Sequence, residues 1–222
     1  FLSIASFPFL HSQTNKCSNA KHLLVMLEKM HYQPVVLDST WSEDLFLSCF
    51  DALDPSGDYF TEEDLKALSS YKNILSENIE NQSCTFIDDL ANTYQNALKR
   101  SQTIISDLST VELDYTKDES FWYSSASDHD FYEFAQNKKE LTHLWKKNIK
   151  YRVLVYWLDT NDSTELSAEK QHQFKQKAIE RYSCQLTRKL ASNQNIQQHV
   201  NAVFLEQLAK SFDPHTAYFS SD

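Results

Sequence analysis

Apolar residues recur at every third or fourth position along most of this chain, which is the spacing of amphipathic helices. The first stripe, between Asn19 and Tyr32, predicts that Leu23, Leu27 and Met30 face a core, and Pro34 closes the segment. Together the stripes predict helices over residues 19–32, 39–53, 61–75, 85–108, 131–158, 167–190 and 195–211.

Local signals refine three of these helices. Thr61 and Asp64 approximate a capping box at the start of the third helix. Ser83 is the N-cap candidate for the helix over 85–108. The run 151–158 is rich in β-branched and aromatic residues, so a strand stays open there, but we assign it to the helix that continues from Leu141.

The helical period is lost between residues 109 and 130. A connection of this length with so many aromatic residues is expected to pack across the helices. Phe121, Trp122 and Tyr123 form its densest aromatic cluster, which suits a surface for docking a peptide or protein. Packing in the core is the alternative interpretation.

Composition favours an all-α fold and excludes several kinds of chemistry. The 222 residues include one glycine and four prolines, so Gly-rich phosphate loops and GxSxG nucleophile elbows are ruled out. Hairpin turns also depend on glycine, which argues against a sheet. The net charge of −10 repels phosphate backbones, so nucleic acid is not an expected partner.

No residue pattern points to a catalytic, cofactor or metal site. The cysteines Cys17, Cys49, Cys84 and Cys184 form no CxxC pair, and the histidines form no HExxH motif. Two disulfides in an oxidising compartment and buried free thiols both remain open for the cysteines.

An Asp-Pro turn occurs twice, each time after an apolar helix. Residues 53–61 and 212–220 share an apolar residue, Asp-Pro, Tyr-Phe and a hydroxyl residue at the same offsets. Oxygens at alternate positions from Asp54 to Asp58 suggest the start of a calcium loop, but Gly57 and Leu65 do not fit an EF-hand. We interpret both copies as turns whose Tyr-Phe pair folds back onto the helices.

The second copy also predicts a junction at the end of the helical region. Pro214 disfavours helical geometry at Asp213, so the last helix ends near Phe212. His215 is expected to make turn hydrogen bonds, and residues 212–222 are expected to run extended away from the last helix. The junction residues are Asp213, Pro214, His215, Thr216, Tyr218 and Phe219.

Residues 1–16 differ from the rest of the chain. Ten apolar-rich residues give way to a short polar run, as in the second half of a signal peptide. We therefore expect an exported protein, with residues 1–16 as a leader remnant that, if uncleaved, associates with a membrane. A buried N-terminal strand or helix is the alternative.

The segment from Phe212 to Ser220 resembles the one that closes the N-terminal helical region of carboxyl-terminal processing proteases, the tail-specific protease family, just before the PDZ domain. Further segments are similar in their order along the chain. They are His31-Tyr32 with Asp38 and then Leu53-Asp54, Leu141–Trp145 with Lys150, and Arg181-Tyr182.

The resemblance implies a periplasmic or otherwise exported serine endopeptidase with a Ser/Lys dyad. Its PDZ domain would recognise nonpolar C-termini of substrates, and unfolded proteins would be cleaved. No residue of this chain matches the dyad, so the implied role is a helical platform over residues 17–211, with 212–222 leading to a PDZ domain. The implied partners are the PDZ and protease domains of the same polypeptide, the substrates and an adaptor protein.

Two other functions remain open. One is a free-standing helical domain that binds other proteins, and the other is an independent hydrolase. A lack of any downstream protease segment in the reading frame would favour the first, and peptide cleavage by this chain alone would favour the second.

Overall fold

Helices account for most of the residues that the computed structural model describes, which are residues 14–32, 35–117, 119, 134–160, 165–191 and 193–218. Within these ranges there is no strand, and Thr61 and Ala135 form an isolated β-bridge. The predicted all-α fold is confirmed. The helices are α1 (Thr14–Met30), α2 (Ser39–Leu53), α3 (Glu62–Ala67), α4 (Leu75–Glu80), α5 (Thr85–Leu108), α6 (Lys138–Leu158), α7 (Ala168–Leu190) and α8 (Asn193–Lys210), with one 3-10 turn (Ser69–Tyr71).

Helix α5 lies at the centre of the bundle and packs against α6, α7 and α8. Its apolar face is buried at Phe86, Leu90, Tyr94, Leu98 and Ile105. Each fully buried large apolar side chain of this kind contributes about 1.5–3 kcal/mol. Helices α1 and α2 complete the bundle by packing against α4 and α8.

The third predicted helix is shorter than its apolar stripe suggested. The Asp64 carboxylate accepts the Thr61 amide at 2.8 Å, as the capping box predicts, but α3 ends at Ala67. The Ser69 hydroxyl donates to the Lys66 carbonyl, which competes with the backbone for that acceptor. The single predicted helix over 61–75 is therefore wrong, and α3, a 3-10 turn and α4 take its place.

Ser83 is not the N-cap of α5, so that prediction is wrong. Cys84 occupies the N-cap position, and its sulfur forms a disulfide with Cys17 of α1 instead of capping the helix. The disulfide closes a loop of 67 residues, which on loop entropy is worth about 4 kcal/mol. Cys49 is a buried free thiol and Cys184 an exposed one.

Helix α6 begins later than its stripe suggested. Asn137 caps it by accepting the amides of Lys139 and Glu140, and Phe134 lies before the helix. Phe134 is buried edge-on against Phe60 at a ring distance of 6.2 Å, so its apolar character serves packing outside a helix. The run 151–158 is helical, as predicted.

Two lysines hold the described part of the connection after α5 against the helices. Lys175 of α7 donates to the Ser109 carbonyl at 2.8 Å, and Lys150 of α6 donates to the Lys117 carbonyl at 2.8 Å. Leu113, which lies between Ser109 and Lys117 in sequence, is buried. Packing across the helices is therefore confirmed for residues 109–117. In the ranges described, no helix is both long enough and apolar enough to cross a membrane.

Candidate functional site at the junction

The end of α8 turns sharply, as the Asp-Pro sequence predicts. The Asp213 side chain accepts the His215 amide at 2.9 Å, and its carbonyl accepts the Thr216 amide at 2.9 Å. Pro214 has no amide hydrogen, so the turn leaves no donor unmatched at that position. The His215 backbone amide thus takes part in the turn, and a role of its imidazole stays a prediction.

After the turn the chain returns along α8. The Tyr218 amide donates to Glu206 Oε2 at 2.7 Å, and the Tyr218 side chain packs against the core. The expectation that this segment runs extended away from the last helix is therefore wrong for residues 213–218. The fold-back of the tyrosine is confirmed, while Phe219 lies outside the described residues.

Glu206 is held as an anion by its neighbours. Burial raises the pKa of this carboxyl, but the Tyr218 amide and Lys210 outweigh burial and leave the pKa below its ordinary value. Lys210 Nζ lies 3.0 Å from Glu206 Oε1. One carboxylate thus ties the last turn of α8 to the returning chain.

The N-terminal part of the chain supports the same end of α8. The His31 ring packs edge-on against Phe212 at 6.0 Å, and His31 Nε2 lies 4.0 Å from Asp213 Oδ2. Trp41 of α2 also packs edge-on against Phe212, and its indole N–H donates to the Ser211 hydroxyl at 3.1 Å. Segments from opposite ends of the chain therefore meet at the start of the junction.

Sequence reasoning named the turn but not all of its supports. No sequence pattern indicates that Trp41, Ser211 or Glu206 supports the junction. A buried tryptophan usually needs an acceptor for its N–H, which is a hint that such a partner exists. Only the fold identifies that partner as Ser211.

The first Asp-Pro turn is more enclosed than the second. Asp54 is 0% exposed, and its carboxylate accepts the amides of Asp58, Tyr59 and Phe60 at 2.7–2.8 Å. Gly57 permits this wrap because it adopts a φ of 64°. The three backbone amides donate to the Asp54 carboxylate oxygens, which a calcium loop would use as metal ligands.

The loop after Asp54 connects three helices. The Asp58 carbonyl accepts the Trp145 indole N–H at 2.9 Å and the Ser101 hydroxyl at 3.1 Å. The Asp58 carboxylate accepts the Asn148 amide at 2.8 Å, and Arg100 donates to the Tyr59 carbonyl at 2.7 Å. The first turn is thus a packing hub between α2, α5 and α6.

Burial changes the titration of the hub. It raises the pKa of Asp54 to about 6, against the opposing effect of the three amides. It raises the pKa of Asp58 to about 7, and the charge of Asp54 adds to that rise. Asp54 is fully buried and Asp58 is partly buried, so their raised pKa values follow from packing.

An open groove of about 760 Å³ lies over α2 and α3. Phe46, Leu47, Leu65 and Phe134 form its apolar part, and charged residues of both signs, among them Asp51, surround them. The described lining holds no histidine or cysteine. Ser69, Lys66 and Lys72 also line the groove, and the Ser69 hydroxyl donates to the Lys66 carbonyl.

The predicted docking cluster, Phe121, Trp122 and Tyr123, lies outside the described residues. Of the predicted junction residues, the structure describes all but Phe219, and it places Asp213 beside His31 and Tyr218 on Glu206. A comparison with protein families gives a match over residues 23–222 to the family model described as the tail specific protease N-terminal domain.

Proposed function

Since the chain belongs to the tail-specific protease N-terminal domain family, we propose that it is the non-catalytic platform of an exported carboxyl-terminal processing serine endopeptidase. The PDZ and protease domains of the same polypeptide would pack on this platform. The observation that carries the proposal is the junction, where His31 after α1, Trp41 of α2 and Glu206 of α8 contact residues 211–218.

A structural role fits the chemistry of the described residues. The carboxyls with the most strongly raised pKa values, Asp54 and Asp58, are used inside the bundle by backbone amides and Asn148. The serine and lysine of the dyad would come from the protease domain. The platform contributes by holding that domain in position, and the substrates would be unfolded proteins or proteins with nonpolar C-termini.

Export is supported by the disulfide between Cys17 and Cys84. Such bonds persist in oxidising compartments such as the bacterial periplasm and are rare in the cytosol. The leader-like composition of residues 1–16 agrees with this compartment. Fractionation of cells, followed by thiol alkylation with and without reductant, would check both points: we expect an exported protein in which Cys17 and Cys84 react only after reduction.

The platform role is tested with the complete polypeptide encoded by the gene. Cleavage of an unfolded reporter with a nonpolar C-terminus is compared between the intact polypeptide and a version without residues 14–211. We expect cleavage to fall at least about tenfold, because a mispositioned active site loses much of its rate. Unchanged cleavage, or a reading frame without a downstream protease segment, would overturn the proposal.

An adaptor protein is a further proposed partner of this domain. It would bring substrates to the protease by binding the helical surface. A pull-down from the exported fraction with the complete polypeptide, compared with the version lacking residues 14–211, tests it. Partners retained equally by both would contradict adaptor binding through this domain.

A further inference from the structure

Four large apolar side chains are exposed close together in sequence at the end of α1. Met26, Met30, Tyr32 and Val36 are 50%, 79%, 85% and 75% exposed. We call these four residues the α1 patch. The other large apolar residue exposed to this degree among those described is Leu158 at the end of α6, which is 68% exposed and has no such neighbours in sequence.

The patch is an extension of the apolar face of α1. Met26 and Met30 lie four residues apart, so they share one side of the helix. That side adjoins Leu23 and Leu27, which are buried in the bundle. The apolar stripe predicted Met30 as a core residue, and that prediction is wrong because the face of α1 is wider than the bundle covers.

The backbone after α1 continues the exposed surface. Val35 and Leu37 pack against the core, whereas Val36 between them is exposed. Alternation of this kind places successive side chains on opposite sides of an extended segment. Val36 therefore faces away from the bundle, six residues after the end of α1 in sequence.

The patch borders the junction. His31 lies between Met30 and Tyr32 in sequence, and its ring is 5.0 Å from that of Tyr32. The same ring contacts Phe212, and Nε2 lies 4.0 Å from Asp213 Oδ2. The His31 ring thus contacts both Tyr32 and the start of the junction at Phe212.

We propose that the α1 patch is the surface on which the domain following the junction packs. This rests on the proposed function, because the occupant is the next domain of the same polypeptide. Three observations favour that occupant: the matched family model describes an N-terminal domain, the junction begins beside the patch at the His31 ring, and the patch is apolar. A domain tethered at this point has an effective concentration of roughly millimolar, so a small apolar interface is enough to hold it.

The occupant presents an apolar surface rather than a charged one. Exposed methionines suit such a contact because their unbranched side chains adapt to the facing surface. Tyr32 adds an aromatic ring with a hydroxyl, a combination that is enriched at protein interfaces.

Methionine oxidation measures coverage of the patch directly, since the chain contains two methionines, Met26 and Met30. Oxidation by dilute peroxide is followed by mass spectrometry in the 222-residue chain and in the complete polypeptide. We expect both methionines to react at least about fivefold more slowly in the complete polypeptide, because oxidation follows exposure. Equal rates overturn the proposal. Protection that depends on protein concentration assigns the patch to a second copy and also overturns it.

A matched pair of variants in the complete polypeptide sharpens the result. Met30→Glu places a charge in the patch, so Met26 should oxidise as fast as it does in the 222-residue chain. Leu158→Glu, at the other exposed site, should leave Met26 protected. Equal protection of Met26 in both variants would overturn the proposal, and the separate measurement of reporter cleavage shows whether the platform role fails with it or stands alone.

Discussion

The two Asp-Pro turns share a sequence pattern but differ in how they are closed. Asp54 accepts three backbone amides and is fully buried, whereas Asp213 accepts the single amide of His215 and its side chain is 32% exposed. The Tyr59 amide donates to the Asp54 carboxylate, whereas the amide of the equivalent Tyr218 donates to Glu206.

One residue accounts for much of this difference. Gly57 adopts a φ of 64°, which lets the next three amides wrap over the Asp54 carboxylate. Thr216 stands at the equivalent position, and a β-branched residue disfavours that geometry. The first turn therefore closes inside the bundle, and the second stays open at its surface.

The largest expected effect is the loss of the Asp54 carboxylate. Asp54→Ala leaves three amides without their acceptor, two of which serve the buried Tyr59-Phe60 segment, and should lower the free energy of unfolding by about 4 kcal/mol. Asp213→Ala is the matched variant and should cost at most about 1 kcal/mol, because its site is partly solvated. Urea unfolding of both variants measures these changes. Equal losses of unfolding free energy would contradict the difference between the two turns.

The pH dependence of stability should come from the first turn. The pKa values of Asp54 and Asp58 are raised in the folded state to about 6 and about 7, so the folded protein binds protons more strongly than the unfolded chain. Their contribution is fully present below the unfolded pKa, near 4, and is lost as the pH rises through 6 and 7.

We therefore expect the free energy of unfolding to fall by about 4 kcal/mol between pH 5 and pH 8. Nearby groups that share this environment are Lys189, Tyr59, Tyr94 and Asn148. Asp58→Asn keeps an acceptor for Asn148 and removes the proton site, so it should flatten the profile. Urea unfolding at several pH values measures it, and an unchanged slope in the variant would contradict the assignment.

Substitutions at Gly57 and at the equivalent Thr216 test whether Gly57 causes the difference between the two turns. Gly57→Ala should lower the free energy of unfolding by about 1–2 kcal/mol, because alanine resists a φ of 64°. Thr216→Gly, at the equivalent position of the second turn, should change it by less than about 1 kcal/mol. A thermal unfolding series would show whether the two substitutions differ as expected, and a larger loss for Thr216→Gly would refute the role given to Gly57.

The smallest expected effect concerns the support of the second turn. Trp41→Phe keeps the edge-on contact with Phe212 but removes the hydrogen bond to Ser211, at a cost of about 1 kcal/mol. Hydrogen exchange of residues 211–218 should rise in this variant and in Ser211→Ala. The double variant should lose less than the sum, since both remove one bond. Full additivity would mean that the bond does not hold the junction.

Prediction from the sequence was most accurate where a long apolar stripe ends at a clear helix-terminating residue. The predicted helices over 39–53 and 85–108 and the turn after Phe212 agree with the structure, because helical period and proline act locally. It failed where local side-chain hydrogen bonds end or begin a helix, at the break after Ala67 and at the start of α6. In the candidate site it named Asp213 and His215, but not Trp41, Glu206 or Ser211.

The sequence by itself determined that this chain is helical, where most of its helices run and that Asp-Pro ends two of them. Only the tertiary structure decided that Cys17 pairs with Cys84, that Tyr218 returns to Glu206 and that Met30 faces outward. The physical reason is the range of the interactions. Helical period and turn chemistry act between neighbours in sequence, whereas disulfides, distant acceptors and exposure depend on which surfaces the fold brings together.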